Sequence, residues 1–386
     1  MTQGAGSDKN AAQIIANLSF VGQKPTGLAT YAINLASELN LSGLTLLAPP
    51  ALHHHTQSRQ PCYEIPGGMS AEEGKAGHFR RLKWSQFQLP GIYRQLQSDL
   101  LFSLVPEAPI EAKCRSIVMV HDLIPLRFPR WASPLFHYAR LYVPQVLKQA
   151  EHILCNSHAT AQDICNFYGI PASKITPVLL SHDSHHFRIP DWPIEGMAMD
   201  YSSKSATSHR PYFFYIGRHD PYKNLLRLIR AFAALPNPQN YDLLIAGSPD
   251  PRYTPLLKQQ AIELGVSEQI KFLDYVAYDQ LPGLLHESIA LVYPSLWEGF
   301  GFPVLEAMAC GAPVITSNLS SLPEVAGDAA ILINPYDEQA LTDAMAQVAT
   351  DDQVRKDLRA AGLKRSSQFS WAKTGQQTAA VLQRFL

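Results

Sequence analysis

The stretch WEGFGFPVLEAMACG, Trp297 to Gly311, decides how this chain folds. An apolar run, Ile289 to Tyr293, leads into it and is short enough to be a buried strand. A loop with Gly299 and Gly301 follows. Pro303 suits the first turn of a helix, where its missing N–H costs nothing. Val304, Leu305, Met308 and Ala309 continue at helical spacing, and Gly311 stands where a helix would end. Pro313 to Thr316 reads as the next strand. The unit is strand, glycine loop, helix, strand. Its geometry aims the unpaired N–H groups of a helix N-terminus at whatever lies over the loop, which favours an anion.

Two carboxylates flank that place: Glu298 precedes the glycines and Glu306 lies about one turn into the helix. Carboxylates beside a phosphate would repel it, but each can accept hydrogen bonds from hydroxyls on either side of one. The implied ligand has an anionic middle and a hydroxylated group at each end. A sugar nucleotide fits: ribose, diphosphate, sugar. Without this context the two glutamates would read as a solvated surface loop. Gly299, Gly301, Pro303 and the strand–helix–strand setting turn them toward a ligand.

Upstream, Tyr212 to Ile216 is a strand followed by Gly217-Arg218, and Lys223-Asn224 leads into a helix over Leu225 to Ala234. Arg218 and Lys223 can both reach a diphosphate and offset the charge that grows as it departs. Solvated cations at a helix start would be opposed by the helix dipole, and an anion between them and the helix end would resolve that conflict. Strands at Asp242 to Ala246 and Ile270 to Leu273, helices over Pro255 to Leu264 and Gln280 to Glu287, a last strand at Ala330 to Ile333 and closing helices from Glu338 and Asp351 complete the second half. The sequence has no Asp-x-Asp to hold a metal on a diphosphate.

The first half carries an earlier series of the same kind. Gln13 to Phe20 is a candidate strand. Lys24-Pro25-Thr26-Gly27 then turns into a helix over Leu28 to Leu39, at the edge of a strand where α/β sheets bind ligands. A plain βα turn is the equal alternative there. Leu44 to Leu47 and Leu100 to Leu104 read as strands, residues 50 to 78 as polar and irregular, and Phe79 to Gln97 as helix interrupted at Pro90-Gly91. Ser116 to Val120 is a strand ending in His121-Asp122-Leu123-Ile124-Pro125, which leaves His121 either facing a ligand or bonded within its loop. After a helix over Tyr138 to Glu151, the strand His152 to Cys155 ends in Asn156-Ser157, and Ser157 can cap the helix that follows. Ile175 to Leu180 is the last strand of this half. Residues 182 to 210, with Pro190, Pro193 and a run of serines, have linker composition. Right-handed crossovers would build two parallel sheets covered by helices, with a deep cleft between the two domains.

At 386 residues the chain exceeds what one core supports, so two domains are expected. Apolar content of 46 % suffices for large cores, and a net charge of −1 gives no footprint for nucleic acid. The five cysteines form no Cys-x-x-Cys pair and read as buried free thiols in a reducing cytosol. The histidine runs His53 to His55 and His182, His185, His186 lie in polar sequence without matching ligands, so solvated loops are expected rather than a metal site. No signal peptide or spanning helix is expected, which points to a cytoplasmic protein.

The segment from Trp297, with Gly217-Arg218, Lys223-Asn224, the HDLIP stretch at His121 and the turn at Gly27, closely resembles glycosyltransferase family 4, retaining enzymes of the GT-B fold. The family's N-terminal Gly-Gly-x-Gly pattern is matched only at Gly27. The resemblance implies two Rossmann-like, doubly wound domains facing a central cleft: 1–185 for the acceptor, joined by a C-terminal helix at 372–386; a linker at 186–210; and 211–371 for the donor. It implies that Glu306 binds the ribose, and that Glu298 with the backbone of Gly299, Phe300, Gly301 and Phe302 binds the transferred sugar. The backbone near Tyr275-Val276 would edge the base, Arg218 and Lys223 with Gly217 would hold the diphosphate, and His121, Gly27 and Ser157 would approach from the first domain. Transfer would proceed with retention and with neither cofactor nor metal, from a nucleotide sugar to a glycan or lipid-linked acceptor. The motifs lean toward bacterial mannosyltransferases and GDP-mannose. The alternatives are another GT-B enzyme, such as an epimerase or a phosphorylase, and an inactive sugar-nucleotide-binding protein. Phe79 to Arg94 mixes Phe79, Trp84, Phe87, Ile92 and Tyr93 with Arg80, Arg81, Lys83 and Arg94. It reads either as a helix whose aromatics pack inward or as a peripheral contact with the inner membrane face.

Overall fold

A computed structural model describes residues 12–23, 27–50, 52, 58, 60–190, 210–274 and 276–386. The chain divides into two compact units, Met1–Leu180 with Trp371–Leu386, and Ser181–Ser370. In the first, β1 (Ile14–Asn17), β2 (Leu44–Ala48), β3 (Cys62–Glu64), β4 (Leu100–Ser103), β5 (Ser116–Val120), β6 (His152–Cys155) and β7 (Ile175–Pro177) form one sheet in the order β3-β2-β1-β4-β5-β6-β7. Every pairing is parallel. Strands β1, β4, β5 and β6 are buried along their whole length. A parallel strand covered on both faces has no polar side, which is why these stretches are continuous apolar runs rather than alternating ones.

The second unit repeats the plan with β8 (Tyr212–Ile216), β9 (Asp242–Ala246), β10 (Ile270–Leu273), β11 (Ala290–Tyr293), β12 (Val314–Ser317) and β13 (Ile331–Ile333), ordered β10-β9-β8-β11-β12-β13 and again all parallel. Each unit is a doubly wound, Rossmann-like sheet. The strand order reverses between β1 and β4, and between β8 and β11. Ligands of such sheets bind outside the carboxyl ends of the strands at that reversal. The helix Trp371–Gln383 belongs to the first unit. It lies so close to the helix Gly27–Glu38 that a Cβ on Gly375 would come within 2.8 Å of Glu38 Cβ.

Several local expectations are corrected. The stretch expected to be irregular, 50 to 78, contains β3, whose three residues have no apolar alternation and are strand because β2 offers them an edge. The helix break falls at Gln88, between Gly74–Phe87 and Leu89–Gln95, and Pro90 sits in the first turn of the second helix rather than breaking it. The helix expected over 138 to 151 begins as a π-helical turn, Tyr138–Tyr142, before Val143–Gln149. Pro144, which lacks an N–H, is the second residue past that turn. Of the cysteines, only Cys155 and Cys310 are buried; Cys62 is exposed, Cys114 and Cys165 are intermediate, and all are free.

Of the cations and aromatics mixed over Phe79 to Arg94, Arg81 is buried, whereas Phe79 and Phe87 are exposed rather than packed inward. Its guanidinium grips Glu107 with two 2.8 Å bonds and donates to the Met69 carbonyl at 2.8 Å. Trp84 and Tyr93 are buried in the same core. Breaking a buried ion pair strands one charge, at a cost of about 3–5 kcal/mol. Arg81→Met should lower the unfolding free energy in urea by that order, and Arg81→Met with Glu107→Leu should recover most of it. Equal losses in the single and double variants would show that the pair is not what matters.

Candidate functional site

Strands β8 and β11 lie side by side, so the loops at their carboxyl ends meet although they are far apart in sequence. From β8 the chain passes through Gly217 (φ +152°), where a Cβ would stand 2.8 Å from the Tyr215 hydroxyl. Arg218 follows, its side chain 71 % exposed and its Nε 2.9 Å from buried Asp220. Lys223 closes a short 3-10 turn, Pro221–Lys223, ahead of the helix Leu225–Ala233.

Lys223 is not solvated; the opposite charge expected to meet it from a ligand is already supplied within the chain. Its ammonium donates to Glu298 Oε1 at 2.7 Å and to the Tyr293 hydroxyl at 2.8 Å, and both members of the ion pair are buried. Burial alone would push the lysine down, but Glu298 prevails and holds it well above the ordinary value. The conflict with the helix dipole is therefore relieved inside the protein, by a carboxylate on the neighbouring loop. An ammonium has three donors, and these two bonds leave one for a ligand.

The Glu298 loop is held from β12. The Glu298 N–H donates to Ser320 Oγ at 3.0 Å, and Ser321 Oγ bonds the carbonyls of Glu298 (3.1 Å) and Phe300 (2.6 Å). Gly299 is buried, and so is the ring of Phe300, which packs edge-on to Phe302 at 5.3 Å; what Phe300 can offer a ligand is backbone. Gly301 (φ +113°) caps the helix Phe302–Ala309, a conformation that disfavours any side chain. Gly311 (φ +73°) ends it, the Ala312 N–H returning to the Ala307 carbonyl at 2.9 Å.

Glu306, on that helix, is only partly accessible. Burial, with the charge of Asp183 adding to it, pushes its carboxyl up to about 8. Asp183 stands in the turn that aligns His186, whose ring stacks on Tyr278 at 3.8 Å. The Tyr278 hydroxyl is itself pushed up by burial first, then by Asp183 and Glu306. Val276 lies just before Tyr278, past the end of β10; Tyr275 lies outside the described residues. His182 is buried and His186 stacked, so neither is the solvated loop histidine expected; His53 to His55 lie outside the described residues. Among the described residues no group of His, Cys, Asp and Glu has the makings of a metal site.

In the first unit, Gly27 opens its helix with open space where a Cβ would stand. His121, past β5, bonds the Leu104 carbonyl through Nε2 at 2.9 Å, with Tyr31 edge-on at 4.7 Å. Burial pushes the imidazole down to about 4, so it is neutral with Nδ1 as an acceptor. Ser157 is fully buried and caps the helix His158–Tyr168, accepting from the Thr160 N–H at 3.0 Å. Its hydroxyl is committed to the cap and presents no surface to a donor. Asp220, Tyr293, Ser320, Ser321 and Asp183 were not foreseen. Only Asp220, two residues from Arg218 in the same loop, had a local signal.

The Glu306 environment has a measurable consequence. Its carboxyl titrates near 8 in the folded chain, against about 4.3 unfolded. The stabilising contribution of the proton is complete below the unfolded value and is lost as pH rises through 8. Glu306→Gln should flatten the fall in Tm between about pH 5 and about pH 8 and raise stability at the upper end by roughly 1–3 kcal/mol. A slope unchanged in the variant would rule Glu306 out as its source.

The family description "Glycosyl transferases group 1" matches residues 200–365, and "Glycosyltransferase Family 4" matches residues 25–179. The O-antigen chain mannosyltransferase B of Escherichia coli is 33 % identical over 268 residues, 68 % of this chain and 69 % of that protein. The O-antigen chain mannosyltransferase RfbU of Salmonella typhimurium is 25 % identical over 342 residues, 87 % of this chain and 90 % of that one. The crystal structure of Anabaena HepE in complex with UDP and glucose aligns with a TM-score of 0.72 at 19 % identity, over 97 % of this chain and 100 % of that one. The chain belongs to the group 1 glycosyltransferases, family 4, with the GT-B fold.

Proposed function

We propose that the protein moves mannose from GDP-mannose to a hydroxyl of a glycan or lipid-linked acceptor, with retention of configuration and without a metal. The observation that carries the reading is Lys223, held charged beneath the glycine loop by Glu298 with one ammonium donor still available. The names of the two mannosyltransferase relatives support mannose.

In this reading the diphosphate lies over the start of the helix Phe302–Ala309, where the backbone N–H groups, Lys223 and the exposed guanidinium of Arg218 face it. Glu298 accepts from a hydroxyl of the transferred sugar while still pairing with Lys223. Glu306, protonated near neutral pH, can both accept from and donate to the ribose hydroxyls. The base lies along the backbone at Val276. The bond from the anomeric carbon to the phosphate oxygen breaks and the acceptor oxygen bonds to the same face. The acceptor proton passes to the departing phosphate, whose growing charge is met by Lys223 and Arg218.

With excess EDTA present, turnover of GDP-mannose should persist and exceed that of UDP- and ADP-sugars. Loss in EDTA with rescue by manganese would defeat the metal-free part, and preference for another nucleotide would defeat the donor. Lys223→Ala should lower kcat by ~10²–10³-fold, the scale for loss of one preorganised donor, as well as weaken donor binding. A change confined to KM would overturn the leaving-group role.

A further inference from the structure

Strand β11 ends at Tyr293, which is 1 % exposed. Its hydroxyl accepts from the Lys223 ammonium at 2.8 Å, beside the 2.7 Å bond from the same nitrogen to Glu298 Oε1. Its ring lies 5.2 Å from that nitrogen, and the ring of Tyr222 lies 5.3 Å from it. Tyr293 is itself held from both sides. Its carbonyl accepts from Thr316 Oγ1 of β12 at 2.8 Å, and its ring stacks on Tyr215 of β8 at 5.8 Å. A side chain tied to three neighbouring strands is a rigid support. Lys223, whose ammonium it meets, reaches it on a flexible four-carbon stem.

The two acceptors of this ammonium are not equivalent. Glu298 brings a full negative charge and offsets that of Lys223. Tyr293 brings a neutral dipole. Burial first, and then the charge of Glu298, holds its hydroxyl well above the ordinary phenol value, so it keeps its proton. An oxygen of that kind accepts a hydrogen bond without subtracting from the charge of the donor. The two ring faces attract the cation on the same terms, since they carry a quadrupole and no charge. A second carboxylate in this place would leave a net negative group facing a diphosphate. Geometry is the other half of the matter. One anchor lets the ammonium swing on its stem, whereas two anchors fix its position and the direction of the third N–H.

We propose that Tyr293 is a positioning residue for sugar transfer: its hydroxyl holds the Lys223 ammonium so that the third N–H is aimed at the departing phosphate. The proposal rests on the reading of Lys223 as the group that meets the leaving charge, and it deepens that reading. Tyr293 touches no substrate and acts through Lys223. When the bond from the anomeric carbon to the phosphate oxygen breaks, its electron pair stays on that oxygen, and the third N–H donates to it. The ammonium keeps all its protons. Attraction between charges falls slowly with distance, so a displaced ammonium still helps to bind a diphosphate. A hydrogen bond weakens steeply with angle, so the same displacement is felt where the charge develops. Loss of the hydroxyl therefore reaches kcat more than KM.

The test uses the full-length chain and the donor alone, read as hydrolysis of GDP-mannose, or of a UDP- or ADP-sugar where that is turned over faster. Tyr293→Phe keeps the ring and its stacking and removes one oxygen. It should lower kcat by about ten- to a hundredfold, less than Lys223→Ala, and move KM by less than about threefold. In the Lys223→Ala background the same substitution should change kcat by less than about twofold, because no ammonium is left to position. A general loosening of the fold would lower kcat alike in both backgrounds. Thermal melts report folding. If Tyr293→Phe does not fold, a ring-fluorinated tyrosine at position 293, which weakens the oxygen as an acceptor and keeps the contacts, takes its place and should lower kcat only where Lys223 is present. The proposal is overturned if the folded variant keeps the wild-type kcat, if it changes KM alone, or if its effect is the same with and without Lys223. Loss of kcat in Lys223→Ala beside an unaffected Tyr293→Phe would defeat this proposal and leave the role of Lys223 standing. A Lys223→Ala effect confined to KM, or a wild type that turns over no sugar nucleotide, would defeat both.

Discussion

The buried ion pair between Lys223 and Glu298 is the constraint on which the donor unit's site depends. A charge taken out of water must find its opposite within hydrogen-bond reach, and here the two partners come from loops on β8 and β11. The pair forms only when those strands are neighbours, so it reports the strand order as well as the chemistry. Around it the structure spends polar groups on rigidity. Tyr293 takes a second donor of the ammonium and stacks on Tyr215 at 5.8 Å. Asn224 donates to the carbonyls of Pro294 and Pro335. Ser320 and Ser321 hold the backbone of the Glu298 loop from the next strand. A loop with buried glycines and few side-chain anchors of its own is thereby fixed from three strand ends.

The same physics treats the two family glutamates in opposite ways. Glu298 has a lysine against it and lies in an ion pair. Among the described residues the charge that acts on Glu306 is the like charge of Asp183, and little water reaches it, so its carboxyl holds its proton into the neutral range. One motif thus carries an ion-paired acceptor at one end and a group that can both donate and accept at the other. Arg218 with Asp220 and Lys223 with Glu298 leave the resting site close to neutral, so the positive field available to an anion comes from geometry: free donors, backbone N–H groups and a helix start. In the first unit, burial keeps His121 neutral, and its bond to Leu104 sets which nitrogen carries the proton.

Much of this was legible in the chain. Runs such as Ile289 to Tyr293 and Ser116 to Val120 are apolar throughout because their strands are covered on both faces, and that pattern survives translation into sequence with little ambiguity. Gly301, Pro303 and Gly311 mark a loop and both ends of a helix because backbone conformation at those points restricts residue type. β3 was not legible, since three residues without alternation become a strand only when β2 lies beside them. Nor was the placement of Gln88 rather than Pro90 at the helix break, because a proline inside a first turn and a proline at a break look alike.

What the sequence determined by itself was therefore local and periodic: the alternation of strands and helices, the restart after residue 210, and which residue types stand at strand ends. Those features are set by neighbours in the chain. The tertiary structure decided every pairing across it. It joined Lys223 to Glu298, put Asp183 beside Glu306, turned Arg81 inward to Glu107 while leaving Phe79 and Phe87 in water, and committed Ser157 to its cap. Burial, charge and accessibility belong to space, and a side chain's chemistry is settled only when the strand order brings its distant neighbours to it.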